Sequence, residues 1–88
     1  MILSEKQVII LKCIGSGIAV RDLMVKLRTE YDLLNFDSLG MLIAFEKIGY
    51  ILTENDFKII RLSAAGFDAL SVSVGESVDA LKLKSDNI

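Results

Sequence analysis

The chain has 88 residues, a net charge of −2 from ten Lys/Arg and twelve Asp/Glu, one cysteine, and neither histidine nor proline. That length suits one domain burying roughly 60–65% of its unfolded surface. The missing histidine and lone cysteine exclude zinc sites and His-based acid–base or triad chemistry, and the longest apolar runs, such as Val8 to Leu11, fall far short of the about 20 residues of a membrane span.

Ser4-Glu5-Lys6-Gln7 has the form of a capping box, so a first helix is expected over about Glu5 to Ile14 with Val8, Leu11 and Cys13 or Ile14 inward. Gly15-Ser16-Gly17 ends it; no strand precedes this run and no phosphate-loop spacing surrounds it, so it reads as a structural turn. Ile18-Ala19 is a short extended stub able to pair with a later hairpin. From Val20 the pattern turns helical, with Leu23, Met24 and Leu27 on one side and Arg21, Asp22, Lys26 and Arg28 on the other.

Tyr31 to Phe36 is a connector whose Leu33, Leu34 and Phe36 are expected in the core. Asp37 is the expected N-cap of a third helix running to Ile48, with Phe36 stapled onto its first turn. Leu42, Phe45 and Ile48 form its core stripe, which leaves Leu39, Met41 and Ile43 over; a helix apolar nearly all round is buried on more than one side. Gly49 closes it. A hairpin follows, with Tyr50-Ile51-Leu52-Thr53, a polar tip at Glu54-Asn55-Asp56, and a second strand Phe57 to Leu62 whose faces are both mixed. Ser63 caps a final helical stretch from Ala64 in which Phe67, Leu70, Val74, Val78 and Leu81 recur at three- and four-residue spacing. Ser71 to Gly75 is weak helix material, so residues 64–83 form one helix or two. Residues 1–83 make the domain and 84–88 a frayed, polar end.

Charge is unevenly spread. Residues 1–30 carry +2 (Lys6, Lys12, Arg21, Lys26 and Arg28 against Glu5, Asp22 and Glu30), and residues 31–57 carry −4 (Lys47 against Asp32, Asp37, Glu46, Glu54 and Asp56). The third helix and hairpin tip therefore lie in the most acidic third, a poor footprint for a phosphate backbone. With 52% hydrophobic residues and a mean hydropathy of +0.51, some apolar surface is expected to stay exposed on a monomer, and a partner or second copy would cover it. Cys13 reads as a small buried hydrophobe, and a reducing cytoplasm is the expected compartment.

The order helix, helix, helix, two-stranded hairpin, helix resembles the winged helix-turn-helix superfamily, in particular MarR/PadR-like regulators and small winged-helix proteins of phages and other mobile elements. The residues carrying the likeness are Ile18-Ala19-Val20-Arg21-Asp22-Leu23, Phe45-Glu46-Lys47-Ile48-Gly49-Tyr50-Ile51 and Leu62-Ser63-Ala64-Ala65-Gly66. The resemblance implies a mainly α fold with a small β-hairpin (α+β), no enzymatic activity, no cofactor or small-molecule substrate, and a dimeric regulator of transcription that binds double-stranded DNA. Family positions that face the major groove correspond to Ser38, Leu39, Gly40, Met41, Ile43 and Ala44, of which only Ser38 has a hydrogen-bonding side chain. Lys26, Arg28, Lys47, Lys58 and Arg61 are the further candidate DNA contacts. The alternative is a protein-interaction module that has lost DNA reading, with Leu39, Met41 and Ile43 as its interface and Phe67, Leu70, Val74, Val78 and Leu81 as a dimerisation stripe.

Overall fold

A computed structural model describes residues 3–86 of the chain. Its elements run α1 (Glu5–Ile14), β1 (Ile18–Ala19), α2 (Val20–Tyr31), α3 (Asn35–Ile48), β2 (Ile51–Glu54), β3 (Ile59–Leu62), α4 (Ala64–Val74) and α5 (Val78–Asp86). The described residues form a mainly helical α+β domain around one antiparallel sheet of strand order β1-β3-β2.

The capping box is present: the Ser4 hydroxyl accepts from the Gln7 N–H and the Gln7 side chain accepts from the Ser4 N–H. At the other end of α1 the Gly15 carbonyl accepts from the Leu62 N–H at 3.0 Å, joining the helix end to β3. The stub β1 lies against the same strand, Ile18 opposite Ile60 and Ala19 opposite Ile59. α2 buries Leu23 and Leu27 and ends on Asp32, whose φ of 55° is left-handed. The Leu33 N–H then donates to the Leu27 carbonyl at 3.0 Å, a turn that drives Leu33 into the core.

That turn moves the expected start of α3. The helix starts at Asn35 with Leu34 as N-cap and no side-chain cap; Asp37 sits inside the first turn, where its charge faces the positive helix end. Consequently Leu34 and Phe36 point to solvent, not to the core, and no staple forms. Phe36 is 87% exposed. The inward stripe is Ser38, Leu42, Phe45 at i, i+4, i+7, and the next position in that run is Gly49. Ile48, expected in the core, is therefore 54% exposed.

β2 and β3 pair from Ile51 opposite Leu62 to Glu54 opposite Ile59. Phe57, expected in the second strand, lies instead in the turn, and Asn55, Asp56 and Phe57 all have positive φ. The mixed faces resolve with Ile51, Ile60 and Leu62 inward and Leu52, Ile59 and Arg61 outward. The final stretch is two helices: Gly75, left-handed at φ 71°, ends α4. α5 folds back so that Leu81 joins Phe67 and Leu70 in the core, with Val74 and Val78 packed against it. It extends to Asp86, into the stretch expected to fray; Asn87 and Ile88 lie outside the described residues.

α4 meets the rest of the chain at its first turn. Ser63 caps it, accepting from the Gly66 N–H at 3.1 Å, while its hydroxyl donates to the Gly49 carbonyl and its own N–H donates to the Tyr50 carbonyl at 3.0 Å. A Cβ on Gly66 would fall 2.1 Å from that Tyr50 oxygen. Gly40, within α3, has nothing within 4 Å of the same position. The two glycines therefore predict opposite signs. Gly66→Ala should lower the urea midpoint by the equivalent of about 1–3 kcal/mol or more through overpacking, although alanine is the better helix former. Gly40→Ala should raise protomer stability by about 0.4–1 kcal/mol.

Candidate functional site

The third helix is apolar on two opposite sides, and only one of them is used by the core. Away from Ser38, Leu42 and Phe45 the helix presents Phe36, Leu39, Gly40, Ile43, Ala44 and Lys47, all exposed. Their spacing of three, four, seven and eight residues places them on one face along about three turns. Ile43 is 46% exposed, and Ile48 continues the face at its C-terminal end. Other exposed large apolar residues are Val25 and Tyr31 on α2, Leu34 just before α3, Leu52 and Ile59 on the outer face of the paired strands, Val72 on α4 and Leu83 on α5. On α3 they line up. Met41 is half-buried and packs against the core.

The side chain expected to read a DNA base is not at the surface. Ser38 is 1% exposed and its hydroxyl has no hydrogen-bond partner. This corrects its assignment as a groove contact: Ser38 stands one turn before Leu42 on the inward stripe of α3. The candidate basic residues lie on three elements. Lys26 and Arg28 are two positions apart on α2, hence about 200° apart around its axis; Lys26 is half-buried beside Cys13, and Arg28 is exposed. Lys47 lies in the last turn of α3, and Lys58 ends the hairpin turn. The Arg61 Nε is 3.3 Å from a Glu54 carboxylate oxygen, both side chains about half exposed, so the hairpin's own acid partly neutralises it. The dimerisation stripe is also differently placed: Phe67, Leu70 and Leu81 are consumed inside the protomer.

The sequence alone places Phe36 and Ile48 in the core, and both are at the surface. The signal was available, since Phe36, Gly40, Ile43 and Lys47 recur at helical spacing opposite Leu42 and Phe45. It was hidden by starting the helix at Asp37, which leaves Phe36 outside the pattern.

Among the described residues no group of three His, Cys, Asp or Glu side chains is placed to hold a metal ion, and no helix is long and apolar enough to cross a membrane. A surface depression of about 270 Å³ beside Arg61, Ser63 and Lys82 is smaller than the usual ligand pocket of about 300–1,000 Å³. Cys13 is buried, and burial pushes its thiol pKa up, with Lys26 partly offsetting this. No protein-family model matches the chain, no curated protein matches it in sequence, and no solved structure matches it.

Two outcomes follow. At pH 8 alkylation of Cys13 should be at least about tenfold slower in the native protein than in urea, because the neutral thiol is a poor nucleophile; equal rates would place the sulfur at the surface. Replacing Glu54 and Asp56 together by Lys should lower stability by no more than about 1 kcal/mol, since an exposed ion pair contributes little. Denaturant titration of the double variant checks this, and a loss several times larger would mean the turn is held by contacts of its acids.

Proposed function

We propose that the protein is a small, non-enzymatic domain of winged-helix type that works in regulation through protein contacts, using the outward face of α3 as its interface. The order α1-β1-α2-α3-β2-β3-α4 supports the winged-helix reading, with β2 and β3 as the wing. The observation that carries the functional reading is the contiguous exposed face of Phe36, Leu39, Gly40, Ile43 and Ala44, which is apolar up to Lys47 at its C-terminal end. Base edges are read by donors and acceptors, and this face offers contact area with one cation, Lys47, at its end. Covering Phe36 alone is worth about 1.5–3 kcal/mol of hydrophobic transfer, an energy the free protomer forgoes. The acid-bearing wing tip and the paired Arg61 weaken the electrostatic case for DNA further.

A photo-crosslinking phenylalanine analogue in place of Phe36, in cells making the protein, tests the reading. Protein adducts are expected; adducts confined to nucleic acid, or none at all, would overturn it. In parallel, random duplex DNA should bind the pure protein more weakly than the about 10⁻⁴–10⁻⁶ M of ordinary non-specific binders. Tighter binding with a steep salt slope favours the second reading, in which Lys47 and Lys58 meet phosphate.

A further inference from the structure

We infer that α5 is an exchangeable arm: residues 64–86 also form one unbroken helix, and in that form α5 covers the core of a second copy of this chain instead of its own. This exchange needs nothing of the α3 face. Phe67 and Leu81 stand seven residues to either side of Val74, and Leu70 and Val78 stand four. At about 100° per residue, a single helix through all five holds them within about 40° of the Val74 direction. The folded-back form has no use for that coherence, because the turn at Gly75, Glu76 and Ser77 resets the phase between α4 and α5. A continuous helix requires it. The stripe is also symmetric about Val74. Two such helices packed antiparallel about a two-fold axis set Phe67 level with Leu81, Leu70 with Val78, and Val74 with its own counterpart.

The folded-back protomer already uses nearly the same register. Leu81 lies in the core with Phe67 and Leu70, and the Lys82 Nζ stands 5.3 Å from the Phe67 ring centroid. α5 packs chiefly on α4, so an α5 arriving from a second copy replaces its contacts like for like, as in domain swapping. Local geometry shapes the bend. Gly75 is left-handed at φ 71°, the Ser71 hydroxyl donates to the Glu76 carbonyl, and the Ser77 hydroxyl accepts the Ala80 N–H at 3.2 Å. Nothing lies within 4 Å of the missing Cβ of Gly75, so no packing contact demands the glycine there. The contacts that the bend secures are equally available from a second copy.

Two substitutions of opposite expected sign test this, by sedimentation equilibrium of the full chain refolded from urea at several hundred micromolar. Gly75→Ala disfavours the left-handed bend and favours a helix through it in both copies, so it should raise the dimerisation constant at least about a hundredfold. Val78→Pro does the reverse. Val78 is the first residue of α5, where proline fits, whereas proline inside a continuous helix breaks it. This variant should remain monomeric, alone and combined with Gly75→Ala. The wild type should yield a dimer fraction that separates slowly after dilution, because exchange requires α5 to open in both copies. That fraction, absent from Val78→Pro, keeps the test decisive should Gly75→Ala fold poorly, and circular dichroism checks the fold of each variant. Wild type and Gly75→Ala both monomeric under these conditions overturn the exchange. So does a dimer that survives Val78→Pro undiminished, as one formed through α3 would.

Discussion

The carbonyl of Tyr50 ties the second half of the chain together. It accepts the Ser63 N–H and lies where a side chain on Gly66 would otherwise stand. Ser63 bonds back to Gly49 and forward to Gly66, so the end of α3, the base of the hairpin and the start of α4 converge on a few atoms. Ile51 and Leu62 are paired in register at the same place. Displacing α4 by the width of a methyl group would therefore draw Leu62, Phe67 and Leu70 out of the core together. The inward stripe of α3 runs down to Gly49 as well, so this junction also sets which face of α3 is left to water.

That face has an inverted polarity. Ser38 points into the core with no partner for its hydroxyl among the described residues, while Phe36, Leu39 and Ile43 point outward. For a domain whose core is limited by its size, both choices reduce stability. The arrangement is consistent with a helix whose outer side is covered in use. α5 illustrates the contrasting solution, since the chain supplies its own cover for Phe67 and Leu70 by folding back after Gly75 and burying Leu81 beside them.

Much of the fold was legible where local chemistry decides it. Ser4 and Gln7 announced α1, and Gly15, Gly49 and Gly75 marked the ends of helices. Ile18-Ala19 paired with the hairpin as its extended character suggested. The Leu62-Ser63-Ala64-Ala65-Gly66 motif was recognised as a pattern, and the structure supplies its physical reason in the Ser63 cap and the Gly66 close approach. The errors arose where tertiary contact overrides local preference. Asp37 is the better cap by residue type, yet α3 begins at Asn35 after the Leu33 anchor, which puts Phe36 inside the helix, opposite Leu42 and Phe45, and so out in solvent. Leu81 could not be assigned to the core from its spacing alone, because the direction of the chain after Gly75 is not a local property.

The sheet ends on β2, a strand of four residues with no strand ladder on its other side among the described residues. An open edge is a template for strand addition, and nature blunts such edges by brevity and charge. Here Glu54, partly neutralised by Arg61, closes the strand and Asp56 follows in the turn, so two molecules approaching edge to edge in parallel bring like charges together. The protection is electrostatic and acts over about 10 Å at 0.1 M salt, shrinking to about 3 Å at 1 M. Colloidal stability of this protein thus depends on ionic strength at the hairpin edge, by a route separate from anything that happens on α3.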